Sequence, residues 1–208
     1  MNLIAATSYL PPICFFAYAL QSSRIYIEVY EHFVKQSYRN RASIATAQGK
    51  LDLIIPVIRV NGSKTNIRDV RISYDESWQK QHWHAIESAY NTSPFFEYYK
   101  EYFYPFYSEH YRWLLDFNNN LLETVCSLLS VSVPILYTAD FLHSYDERQN
   151  YDVRYSISPK KEQNFNYNHY IQVFEEKNGF IPGLSILDLI CNLGPESIQY
   201  IEHLSENV

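Results

Sequence analysis

Ile25-Tyr26-Ile27-Glu28-Val29-Tyr30 runs straight into Glu31-His32-Phe33-Val34-Lys35-Gln36-Ser37-Tyr38-Arg39-Asn40-Arg41. The first six residues alternate in the manner of a strand. The next eleven hold three cations, two side-chain amides, a carboxylate and an imidazole. A polar cluster released from the end of a buried strand is where α/β proteins usually place ligand sites. Upstream, Leu3 to Ser8 predicts a first strand, broken at Tyr9-Leu10-Pro11-Pro12. Residues 12–22 then read as a buried helix with proline first, where its missing N–H costs nothing. Strand, helix and strand in this order predict a right-handed βαβ unit with a parallel pair.

Downstream, Ser43–Thr46 and Leu51–Ile55 flank Gln48-Gly49 as a hairpin closed by Pro56. Residues 61–66 form a polar loop, and Ile67–Ser73 alternates as a strand with one wet face. Trp78, His82, Ala85, Ile86, Ala89 and Tyr90 recur at helical spacing. Ser93-Pro94 predicts a capped restart, Pro105 a break, and 108–130 a long amphipathic helix. Pro134–Thr138 is a short strand, and 143–169 a mobile or irregular polar stretch. Helix resumes over 168–177, turns at Asn178-Gly179, and continues as two short helices, Ser185–Asn192 and Pro195–Leu204. The expected fold class is α/β: a small, mainly parallel sheet opened by a βαβ unit, with a hairpin and a large helical layer. The chain reads as one domain over 1–208. Its parts are an α/β portion with the basic cluster (1–75), a helical layer (76–131), and a loop with C-terminal helices (132–208).

Hydrophobic residues make up 47% of the chain and charged residues 19%, which excludes a disordered protein. Cys14, Cys126 and Cys191 are an odd number, far apart and each in an apolar segment. They read as buried free thiols of a reducing compartment, without a metal site. The N-terminus lacks a basic leader and reads as a first strand, and no run of eighteen apolar residues spans a membrane. The expected location is the cytoplasm. Net charge is −6, unevenly spread. Residues 24–71 carry nine cations against four carboxylates, the remainder eight cations against nineteen carboxylates. A local basic segment in an acidic chain predicts a small anionic ligand rather than duplex nucleic acid, which needs a broadly basic face.

Several pieces fall in the order of a known family. They are Tyr9-Leu10-Pro11-Pro12, Lys35-Gln36-Ser37-Tyr38-Arg39-Asn40-Arg41, Ile67-Arg68-Asp69-Val70, Trp78–Trp83, Ala89-Tyr90 and Ser93–Tyr99, then Gly179–Pro182 and Ser185–Leu189. On these the chain resembles the WbqC-like family, from the first strand to residue 204. It departs by carrying Tyr30-Glu31-His32-Phe33 where many members have Asp-Asp-Val-Gln. The resemblance implies a bacterial protein of surface polysaccharide (O-antigen type) biosynthesis. It further implies a transferase moving glycine or another small group from an activated donor to a sugar.

For such a donor, a nucleotide sugar for example, Lys35, Gln36, Arg39, Asn40 and Arg41 are the candidate phosphate-binding residues. Arginine pairs with phosphate in a planar, bidentate manner, and lysine supplies a mobile point charge. Asp69 would orient Arg39 or Arg41. The competing reading is a solvated basic face whose ion pairs are worth only ~0–1 kcal/mol. Glu31 and His32 are the candidate catalytic pair, a general base and its orienting partner, if the strand has ended before them. His82 and His84 diverge by about 200° on a helix, so no metal site is expected. The aromatic run Phe95–Trp113 suits core packing better than sugar stacking. No GxGxxG, P-loop or nucleophile elbow is present, and no cofactor is expected. A non-catalytic binding or scaffold protein of the same pathway is the alternative. A nucleotidyltransferase-like activity ranks below both, for want of a histidine pair. Lys35, Arg39, Arg41 and Asp69 should converge on one pocket, and losing either arginine should weaken ligand binding while sparing stability.

Overall fold

The opening unit forms as the sequence predicts. The computed structural model describes residues 1–161 and 165–206. Strand β1 (Asn2–Ala6), helix α1 (Ile13–Leu20) and strand β2 (Arg24–Glu28) build a βαβ unit. The two strands are parallel, with Leu3 beside Ile25 and Ala5 beside Ile27. The hairpin follows as β3 (Arg41–Thr46) and β4 (Gly49–Ile54), turning at Gly49, whose φ of 98° suits glycine. Short β5 (Val57–Ile58) and β6 (Arg71–Ile72) pair antiparallel. Helices α2 (Trp78–Tyr90), α3 (Phe96–Ser108) and α4 (Leu114–Leu128) come next. Strands β7 (Ile135–Tyr137) and β8 (Asn150–Asp152) precede α5 (Glu175–Asn178), α6 (Ile186–Leu193) and α7 (Ser197–Ser205).

The main sheet has the order β7-β2-β1-β8 and is parallel throughout. Its two faces differ. Leu3, Ala5, Ile25 and Ile27 are fully buried in a core shared with α1, α4, α6 and α7. Asn2, Ile4, Tyr26 and Leu136 alternate onto the opposite face. There Leu136 is 41% exposed and residues 138–145 line a cavity over the strands. Parallel sheets are normally covered on both faces, so this thin cover is unusual. No helix among the described residues is long and apolar enough to cross a membrane.

Several expectations give way to tertiary contacts. Residues 67–73 are mostly not strand. Asn66 accepts a bond from the Arg68 amide, and Ile67–Asp69 tightens into a 3₁₀ turn before β6. A local side-chain cap of this kind competes with a ladder. Ser93 turns its hydroxyl back to the Tyr90 carbonyl at 2.7 Å instead of capping α3. Pro105 does not break α3, because Phe103, Phe106 and Tyr107 hold that segment in the core. The break comes at 109–113, where Leu114 N bonds Val70 O and Ile72 N bonds Arg112 O. The helix expected over 108–130 therefore starts at Leu114.

The stretch 143–169 contains β8, and its residues 162–164 lie outside the described residues. The helix expected over 168–177 shrinks to Glu175–Asn178. Tyr170 and Gln172 are bonded to Asp188, and Gln172 also to Ile181, which holds them extended. The aromatic run packs only in part, because Tyr98, Tyr102 and Tyr104 face solvent. Phe103, Phe106, Tyr107 and Phe117 are buried, with edge-on contacts around Trp78. All three cysteines are free and buried.

Candidate ligand site at the carboxyl edge of the sheet

Strand β2 ends in Glu28, which is fully buried. Its Oε1 accepts from Tyr30 N and from the Thr138 hydroxyl, both at 2.9 Å, and its Oε2 from Arg154 Nη1 at 3.0 Å. Arg154 lies two residues past the end of β8, and its side chain is as buried as that of Glu28. It also grips Asp152 through Nε at 2.8 Å and Nη2 at 2.6 Å, and donates to the carbonyls of Leu142 and His143. All five of its donors are thereby used. The rings of Phe141, Tyr145 and Tyr155 surround its guanidinium at 5.4, 4.8 and 5.7 Å.

A second buried pair stands beside the first. Arg39 Nε and Nη2 bond Glu31 Oε1 and Oε2 at 2.7 and 2.5 Å, with side-chain exposures of 4% and 1%. Asn118 donates to the Arg39 carbonyl at 2.8 Å, and Arg39 Nη2 approaches the Arg154 carbonyl at 3.5 Å. Burial raises the pKa of Glu31, the Arg39 guanidinium opposes that, and the Glu28 carboxylate adds to it. Three carboxylates and two arginines thus share the carboxyl end of the strands, where open α/β sheets present their ligand crevices.

The candidate residues divide. Arg41 turns away from Arg39 and pairs with Asp52 at 3.0 Å, while Ser43 holds the other Asp52 oxygen at 2.6 Å. Asn40 donates to the Ile55 carbonyl at the foot of the hairpin. Lys35 and Gln36 are exposed, with Gln36 in a left-handed conformation (φ 55°). His32 is exposed and bridges Asn66 through its backbone, so it faces away from buried Glu31. Asp69 is exposed on its 3₁₀ turn. The expected convergence of Lys35, Arg39, Arg41 and Asp69 does not occur. Glu31 and Asp52 take the partner role assigned to Asp69, Glu31 from the same loop as Arg39 and Asp52 from the strand paired with that of Arg41. His82 is buried while His84 is exposed, which keeps them apart.

What the basic segment does build is a rim. Phe33 N bonds Thr65 O, and Ile67 N bonds Glu31 O, so the 30–37 loop is laced to the 59–68 loop. Arg59 lies 5.8 Å from the Phe33 ring and Arg68 4.3 Å from the Tyr30 ring. Among the described residues, nothing bonds the buried Arg59 Nη1. The two laced loops carry Lys35 on one side and Arg59, Lys64 and Arg68 on the other, beside the segment that holds Glu31. Sequence reasoning missed Glu28, Asp152, Arg154 and this second loop. No local signal marked them, because Glu28 and Arg154 meet only through the pairing of β8 with β1.

The WbqC-like protein family matches residues 7–161, from just past β1 through Arg154, and so takes in the whole charge cluster. The chain belongs to this family. It is 27% identical over 195 residues to an uncharacterized Mycobacterium tuberculosis protein, Rv1507c, covering 82% of this chain and 84% of that one. No solved structure matches it. In this WbqC-like protein the matched span includes both laced loops and three of the four strands of the parallel sheet, β2, β7 and β8, while β1 lies just before it. The pieces Gly179–Pro182 and Ser185–Leu189 lie beyond it.

Proposed function

We propose that this protein is a transferase of surface polysaccharide biosynthesis that binds an anionic, activated donor, such as a nucleotide sugar, on the rim of the 30–37 and 59–68 loops. The observation that carries this reading is the unpartnered Arg59 Nη1, which lies against Phe33 where the loops bearing Lys35, Lys64 and Arg68 are laced together. A buried donor without an acceptor costs roughly 1–3 kcal/mol, which a phosphate oxygen would offset. The Glu31–Arg39 pair fixes the loop that presents this rim. Glycine or another small group is the moiety transferred, and a sugar is its acceptor. A non-catalytic scaffold of the same pathway is the second reading, favoured by the internal pairing of both Arg39 and Arg41.

Calorimetric titration with uridine and deoxythymidine diphosphate sugars tests the site. Arg59→Ala and Lys64→Ala should each weaken binding roughly tenfold, as a lost charge-assisted bond implies, with melting nearly unchanged. No binding to the wild-type protein, or equal binding by both variants, would refute the donor site. Binding without any transfer product by mass spectrometry would favour the scaffold.

A further inference from the structure

The thinly covered face of the sheet holds a cavity of about 310 Å³ beneath residues 138–145. That is the lower end of the ~300–1,000 Å³ typical of small-ligand sites. We infer that this cavity binds a neutral saccharide. Its floor is apolar, from Ile4 on β1 and Leu142 on the covering segment, and the phenol rings of Tyr26 and Tyr145 add two aromatic surfaces. Asp140 is the charged side chain that lines it among the described residues. An anionic ligand would meet that carboxylate with no cation in the wall, so a phosphate-bearing molecule is disfavoured here.

The polar groups are uncommitted in the pattern a polyol needs. Among the described residues nothing bonds the Tyr26 or Tyr145 hydroxyl. Asp140 uses Oδ1 for the Phe141 amide at 2.7 Å, leaving Oδ2. Asn2 Nδ2 spends one proton on Asn150 Oδ1, and Asn150 Nδ2 spends one on the Asp146 carbonyl, so each amide keeps a second donor. A carboxylate accepting from hydroxyls, amides donating to them, and rings against the C–H faces are complementary to a sugar ring. A purely apolar ligand would leave five polar groups unpaired, at a cost for each. The cover is held in place from behind, since Arg154 bonds the Leu142 carbonyl at 2.8 Å and stands 4.8 Å from the Tyr145 ring. The cavity is therefore preformed, which lowers the entropic cost of binding.

This site stands apart from the proposed donor rim, and the two fail separately. Glucose, galactose, mannose, rhamnose and N-acetylglucosamine would be titrated at millimolar concentration into isotope-labelled full-length protein, with amide shifts followed by NMR. At least one should shift Asn2, Ala139 and Asn150, while uridine diphosphate should leave them still. Asp140→Asn and Tyr26→Phe should each weaken that sugar roughly five- to tenfold, the value of one hydrogen bond, with an unchanged melt. No response to any of the five sugars, shifts confined to other residues, or undiminished binding by both variants would overturn the inference.

Discussion

Replacing Arg39 with alanine should unfold this protein more readily without any ligand being involved. An exposed ion pair contributes ~0–1 kcal/mol, but Arg39 and Glu31 are 3% and 2% exposed and doubly bonded. Removing one partner of such a pair strands the other charge in a dry site, at about 3–5 kcal/mol. For a chain of this size that lowers the melting temperature by roughly 6–20 °C. The loss should depend on pH. Burial already raises the Glu31 pKa above its ordinary 4.5, and Arg39 is the main force holding it down. A carboxyl with a raised folded pKa favours the folded state most below the ordinary value, and that contribution is lost as pH rises through the folded pKa. In Arg39→Ala the folded pKa climbs further, so the deficit against wild type is large near neutrality and shrinks on acidification. Urea titrations at about pH 7.5 and about pH 5 measure both. Joint replacement of Glu31 and Arg39 by methionine should recover most of the loss, since the buried charge goes with its partner. A deficit below ~1 kcal/mol, equal at both pH values, would refute the reasoning and mean that water reaches the pair.

Other expectations concern the buried groups. His82, in the core against Tyr9, has its pKa lowered by burial from 6.5 to about 4. Its contribution is therefore intact above about pH 6.5 and lost as pH falls towards 4, up to ~3 kcal/mol, and His82→Gln should flatten that slope in urea titrations. Arg154→Ala leaves Glu28 buried and unpaired, so it should cost about 3–5 kcal/mol and speed hydrogen exchange at Val153 and across 139–145. Burial pushes the thiols of Cys14 and Cys126 up to about 12, so a disulfide reagent should label neither at neutral pH until denaturant is added.

The first third of the fold was legible because its signals are local and agree with one another. Alternation in 25–30, prolines at 11–12 and the Gln48-Gly49 turn each fix one element, and β1, α1, β2 and the hairpin follow within a residue or two. Strand β8 was not legible. Three residues, Asn150–Asp152, are too few to show a period, and what makes them strand is the β1 edge they pair with. Pro105 misled for a related reason, because packing by its aromatic neighbours outweighs one lost backbone bond. At the site, sequence grouped Arg39 and Arg41 by proximity along the chain. Two residues apart on a strand they would share a face, but Arg39 lies in the turn before β3 and Arg41 opens the strand, so they take different partners, Glu31 and Asp52. The residues that complete the charge cluster, Glu28 and Arg154, are 126 positions apart, and no spacing rule could join them.

The charge balance explains why the rim, and not the arginine pair, is where an anion would go. Residues 24–71 hold nine cations and four carboxylates. Arg39 with Glu31, and Arg41 with Asp52, are neutral pairs, so removing both leaves the excess of five untouched. Glu28 is neutralised from outside the segment, by Arg154. The excess therefore resides on side chains that reach solvent, among them Lys35, Lys64 and Arg68. The carboxyl edge itself holds three carboxylates against two arginines and repels anions on its own account. Any anion drawn to this edge is drawn by exposed charges, which salt screens over a Debye length of ~8–10 Å. Donor binding on the rim should accordingly weaken steeply between low and physiological ionic strength. The buried pairs, shielded from solvent, should hold their contribution to stability across the same range. That contrast would separate the charges proposed to bind a donor from the ones that hold the strands together.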